Sequence, residues 1–208
     1  MKTLFATVFL LGSISVYADQ TAITDTGDKI ILNSDGTWKY ANKPQSAPKT
    51  IEKNTRKFEA AKDSTFLVKS TRNNSGYLIN PAKWSFEKTD GAQAREYRFQ
   101  LKGKDLYAMA ITEGIQIPLD NLVDIALTNA QSAAPDAKLV MKEYRVVNGK
   151  QIIYMVMDGT LKGIHFPYHG YYYSDSNGST QLVAYTASNL VHKYKSDMDD
   201  FLNGLVIQ

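Results

Sequence analysis

Alternation of apolar and polar side chains is sharpest from Ala94 to Lys102. There Arg95, Tyr97, Phe99 and Leu101 point one way and Glu96, Arg98, Gln100 and Lys102 the other. A period of two marks a half-buried strand. Leu106 to Thr112 is apolar at both parities, which suits a central strand of the same sheet, reached through the turn Gly103-Lys104-Asp105. The period then becomes helical: Leu119, Leu122, Val123, Ala126, Leu127 and Ala130 recur at spacings of three and four. Pro118 opens that helix, because a first turn tolerates a missing N–H, and Pro135 closes it.

Strands follow. Lys138 to Val147 and Gln151 to Met157 flank Asn148-Gly149, the pair best suited to a type I′ hairpin turn. A strand from Leu161 to Tyr173, interrupted at Pro167, leads through the turn Asp175 to Ser179 into a last strand, Gln181 to Thr186. Leu190, Val191, Tyr194, Met198, Phe201, Leu202 and Leu205 line one face of a C-terminal helix with Ser188 as its N-cap. Upstream lie a short helical piece near Arg56 to Lys62, a strand from Phe66 to Ser70 and a turn-rich stretch from Arg72 to Gly76. Hairpin connections dominate, so the expected class is α+β, a mainly antiparallel sheet with helices packed against it.

The N-terminal quarter is patterned differently. Lys2 precedes an apolar run from Leu4 to Val16, and Val16-Tyr17-Ala18 offers a cleavage site before Asp19, so residues 1–18 read as a secretory signal peptide. The run is about 13 residues, short of the roughly 17 to 25 a spanning helix needs. Turn signals at Gly27 and Gly36 bracket Lys29 to Leu32, so residues 19–40 read as an N-terminal β-hairpin element of two or three short strands, with Trp38 and Tyr40 as apolar anchors. Residues 41–55, polar and carrying Pro44 and Pro48, read as a linker, leaving 56–208 as the α+β domain.

Composition narrows the function classes. The 208 residues contain no cysteine, which removes disulfides, thiolate nucleophiles and a lipidated N-terminal cysteine. A formal charge of +3, with both signs interspersed, gives no reason to expect a nucleic acid or anionic membrane partner. The expected product is a soluble periplasmic or secreted protein with no stable membrane anchor after cleavage.

The segment Gly76-Tyr77-Leu78-Ile79-Asn80-Pro81-Ala82-Lys83-Trp84, followed by this order of elements, resembles the PsbP/Mog1-like superfamily over about residues 60 to 208. The resemblance implies an antiparallel sheet sandwiched between helices, and scaffolding or partner binding more often than catalysis; it carries no catalytic residues. Ala82-Lys83 stands where that group commonly has a tighter glycine turn. Physically, Pro81 stops strand pairing and Trp84 can cover a sheet edge. The stretch from Gly27-Asp28-Lys29 to Asp35-Gly36-Thr37-Trp38 is similar to a hairpin segment of exported bacterial proteins and brings no chemistry.

Side-chain chemistry concentrates in Ile164 to Tyr173. On an unbroken strand His165 and His169 would share a face with Tyr171 and Tyr173, but a break at Pro167 removes that register, and His192 lies on another element. No metal or cofactor is therefore expected. His165, Tyr168, His169, Tyr171 and, in the hairpin, Trp38 are the candidate contacts for a ligand or protein partner. Asp197, Asp199 and Asp200 lack the spacing of a calcium loop and read as a solvated helix face. Neither a nucleophile elbow, a zinc-protease motif nor a phosphate loop occurs. The leading expectation is an exported, non-enzymatic binding or interaction protein. The alternatives are a hydrolase or ligand-processing enzyme with a site near His165 and His169, and a secreted virulence or immunity factor.

Overall fold

The computed structural model describes residues 20–23, 29–32, 38–40, 51–89 and 95–208. The signal-peptide reading of residues 1–18, and all of the predicted linker before residue 51, lie outside the described residues. Two units are distinguished, Met1–Pro48 and Lys49–Gln208. In the first, β1 (Gln20–Ile23), β2 (Lys29–Leu32) and β3 (Trp38–Tyr40) form an antiparallel meander in that order.

The second unit opens with β4 (Glu52–Phe58), β5 (Phe66–Lys69), β6 (Ser75–Ile79), β7 (Trp84–Lys88), β8 (Arg95–Leu101) and β9 (Tyr107–Glu113). Helix α1 (Leu119–Ala133) precedes β10 (Lys138–Val147), β11 (Lys150–Leu161), β12 (Ile164–Asp175) and β13 (Gly178–Tyr185). A 3-10 turn at Ser188–Leu190 leads into α2 (Val191–Leu202) and β14 (Leu205–Ile207). The large sheet has the order β4-β10-β11-β12-β13-β9-β8-β7, antiparallel except where β4 runs parallel to β10. A smaller sheet, β14-β6-β5, is also antiparallel. The α+β class and the helix-flanked sheet stand.

The large sheet separates two cores, and period two assigns its side chains between them. On β11, Ile152, Tyr154 and Val156 join the α2-side core, while Ile153, Met155 and Met157 face α1. The α2 side is the larger, with 22 buried residues against eight. It takes in Tyr77 and Ile79 from the small sheet and Met198, Phe201 and Leu202 from α2.

Four expectations are corrected. The segment near Arg56 is not helical: it ends β4, because pairing with β10 and the seat of Phe58 under the Arg145 guanidinium, 4.5 Å from its ring, override local propensity. Residues 52–55 of the expected linker therefore belong to that strand. Pro167 does not interrupt β12; it pairs opposite Asp158 on β11, while β13 ends at Tyr185 opposite Tyr168, so the missing N–H faces no neighbouring strand. Ser188 does not cap α2, since no side-chain cap hydrogen bond forms there.

Besides β4, the strands β7 and β14 were unforeseen. Trp84 starts β7, the outer strand of the large sheet, and its buried ring lies 4.4 Å from that of Phe201. At the C-terminus Gly204 lets the chain leave α2 and reach β6; a Cβ there would collide with the carbonyl oxygen of Leu78. The Asn148-Gly149 turn has φ of 46° and 80°, the left-handed pair a type I′ turn requires. The Asn148 side chain also donates to the carbonyls of Asn203 and Leu205 and accepts from the Ala60 amide.

A bulge in β8 reverses the expected faces at its start. Arg95 pairs with Ile111 but Tyr97 pairs with Ala110, so one residue on β9 fewer separates them. Glu96 is thereby turned inward and has no exposed surface. It accepts hydrogen bonds from the Ser70 and Thr71 hydroxyls at 2.7 and 2.8 Å, from the Thr71 amide at 2.7 Å and from the Thr112 hydroxyl. Burial alone would raise its pKa, and these donors, Thr112 foremost, more than reverse that and lower it.

Candidate ligand-binding site

Helix α1 presents alanines where the sheet presents larger groups. Ala126, Ala130 and Ala133, at spacings of four and three, look across at Met109, Met157 and Val183, and Ala134 and Ala137 continue the wall past the helix end. Methyl groups cannot fill the gap between a helix and a sheet. A cavity of about 350 Å³ remains, within the roughly 300 to 1,000 Å³ range of small-molecule sites. Asn129, Tyr168, Tyr172, Gln181, Tyr185 and Arg95 bring polar groups to its otherwise apolar lining.

Beyond the cover of α1 the same sheet face is aromatic. Tyr185 on β13 has its ring 5.4 Å from Tyr168 on β12 and 5.9 Å from Tyr107 on β9, the latter pair stacked. Phe166 closes the group at 6.2 Å from Tyr168. A second hollow of about 560 Å³ lies over β7, β8 and β9, floored by Ser85, Glu87, Arg98, Gln100 and Tyr107. Arg95 and Tyr185 line both spaces. The β8 bulge is what places Arg95 on this face. Burial raises the Tyr185 pKa, against the pull of Arg95 and Arg98, and burial followed by Tyr185 raises that of Tyr168. These phenols are neutral donors and acceptors at pH 7.

Of the residues singled out in the sequence, Tyr168 alone is on this face. His165, His169 and Tyr171 share the opposite face of β12, as an unbroken strand requires. There Tyr171 donates to Asn203 Oδ1 at 2.7 Å and accepts from Arg145, and the Tyr154 hydroxyl lies 2.6 Å from His169 Nδ1. Arg145 lies over the Tyr154 ring at 3.5 Å and binds Glu143 at 2.6 Å. Burial first, then Lys195, lowers the His169 pKa to about 4, and burial raises Tyr171 to about 12. This is a satisfied structural network under α2. Trp38 lies in β3 of the separate N-terminal unit, opposite Leu32, and its side chain is outside the described residues.

His165 makes a contact that imitates a catalytic triad. Its Nδ1 is 2.7 Å from Ser188 Oγ and its Nε2 is 3.8 Å from Asp158. The Ser188 hydroxyl, however, donates its single proton to the His165 carbonyl at 2.7 Å, so Nδ1 must be the donor to Oγ and cannot serve as its base. Asp158 is beyond hydrogen-bond reach. The group ties the β11–β12 hairpin to the 3-10 turn. Among the described residues no cluster of His, Asp and Glu could hold a metal.

Sequence reasoning missed Gln181, Tyr185, Tyr107 and the exposure of Arg95 to this face. One signal was present: a glutamine at the start of a strand otherwise rich in apolar residues is out of place unless something meets its amide.

No family model and no curated protein matches the chain. Solved structures do. Cyanobacterial PsbP from Synechocystis sp. PCC 6803 superposes with a TM-score of 0.53 at 13% identity, covering 69% of this chain and 92% of that one. A protein of unknown function from Pseudomonas aeruginosa gives 0.44 at 12% identity over 69% and 96% of the two chains. A Bacteroides thetaiotaomicron protein gives 0.40 at 10%, over 65% and 45%. The chain thus has the PsbP-like fold, and the resemblance read from Gly76 to Trp84 stands at that level.

Proposed function

We propose that this is an exported, non-enzymatic binding protein that holds a small ligand between α1 and the large sheet. The observation that carries the reading is the cavity of about 350 Å³ between the α1 alanines and Met109, Met157 and Val183, opening beside stacked tyrosines. Export rests on the residue pattern of positions 1–18. Among the described residues no helix is long and apolar enough to cross a membrane. A hydrolytic site at His165 and His169 has less support, because the first engages Ser188 as a donor and the second is buried against Tyr154. A virulence or immunity role would differ only in what is bound.

The test is to purify the protein from its native envelope or medium and analyse its organic extract beside that of Ala130→Phe, which fills the cavity. The wild type should carry a molecule that the variant lacks. Identical extracts from two equally folded proteins would refute the reading.

A further inference from the structure

Gln181 is 6% exposed. It sits on β13 between Tyr172 of β12 and Ile111 of β9, in the floor of the α1 cavity. Among the described residues its side-chain amide has no hydrogen-bond partner. Several other buried polar side chains are matched: Glu96 has Ser70, Thr71 and Thr112, Thr180 has Ser75, Thr186 has the Asp105 carbonyl, and His169 has Tyr154, whereas the Tyr77 hydroxyl is buried without a hydrogen bond among the described residues. An amide that lines a mostly apolar cavity is left to whatever occupies the cavity, since folded proteins rarely leave such a group without a hydrogen-bond partner. Among the described residues the hydroxyls of Tyr168 and Tyr185, in the same lining, also have no hydrogen-bond partner.

We infer that Gln181 is the recognition group of the cavity, and that the ligand is a compact apolar ring compound carrying one neutral hydroxyl. The inference rests on the cavity reading above and adds the ligand's class. An amide both donates and accepts, which matches a hydroxyl that does the same. The surrounding Met109, Ile111, Val183 and alanine methyl groups accept an apolar body and penalise a buried ion. Tyr172 and the rings beyond it offer edge and face contacts to an aromatic guest. A site built around a hydrogen-bonding group discriminates against an analogue that lacks it, because the protein group is then left unpaired.

The experiment titrates the full chain with three probes of one shape: 4-methylphenol, 1,4-dimethylbenzene and 4-methylbenzoate. Binding is followed by the methyl NMR signals of Met109, Met157 and Val183. The phenol should bind about three- to tenfold more tightly than the hydrocarbon, the value of one hydrogen bond. Gln181→Met, of similar volume, should erase that preference. Equal affinities in the wild type, a comparison that needs no variant, overturn the inference and leave the cavity reading intact. Preferred binding of the benzoate overturns it in favour of an anion site near Arg95. An unchanged preference in Gln181→Met also overturns it, and no binding by any probe removes both readings.

Discussion

Replacing Glu96 with alanine should destabilise the Lys49–Gln208 unit by about 3 to 5 kcal/mol. Its carboxylate has no exposed surface and takes two hydrogen bonds at each oxygen, Thr71 through its amide and hydroxyl on one and Ser70 with Thr112 on the other. Hydrogen bonds to a charged group contribute about 1.5 to 3 kcal/mol each, and truncation strands buried donors that cost about 1 to 3 kcal/mol apiece. The hydroxyls can turn to other acceptors, so the sum is smaller than four times either figure. Glu96→Gln keeps the shape and one oxygen, and should cost about 1 to 2 kcal/mol. Urea unfolding measured from pH 7 to 3.5 separates charge from shape. The folded-state pKa is depressed below the ordinary 4.5, so the stability it contributes is complete above that value and is lost as pH falls through the folded pKa. The gap between wild type and Glu96→Gln should therefore narrow only below about pH 4.5. A gap that is absent at pH 7, or constant to pH 3.5, would refute the reasoning.

Asn148→Gly retains a residue able to adopt the φ of 46° but loses three side-chain hydrogen bonds, and should cost about 2 to 4 kcal/mol. Asn148→Ala should cost about 1 kcal/mol more through backbone strain; thermal melts showing the two equal would contradict this. His169 should remain neutral down to about pH 5, visible as flat imidazole NMR shifts between pH 8 and 5.5, because burial lowers its pKa to about 4. A depressed histidine pKa means that the unfolded chain protonates first, so acidification from pH 7 towards 4 should weaken the fold through this group.

What could be read from the sequence was what is local. The Asn148-Gly149 turn and the two helices each follow from a spacing of a few residues. The faces of β8 could not, because a bulge is defined by the partner strand, and nothing between Arg95 and Tyr97 announces that β9 is one residue short. Whether Pro167 breaks a strand likewise depends on where β13 ends. β4 forms because β10 offers an edge, which outweighs the helical leaning of Arg56 to Lys62. The site was legible only in fragments: Tyr168 was visible, but the cavity exists because α1 brings alanines over Met109 and Met157, a meeting of segments far apart in the chain.

The unequal division of the two cores has a consequence for how such a protein can change. With 22 buried residues on the α2 side against eight facing α1, the fold's integrity is invested mainly away from the cavity. Substitutions on α1 or on the facing parity of β9, β12 and β13 can reshape the pocket while the opposite face still specifies the structure. One side of the sheet keeps the protein folded, and the cavity on the other can change shape without undoing it.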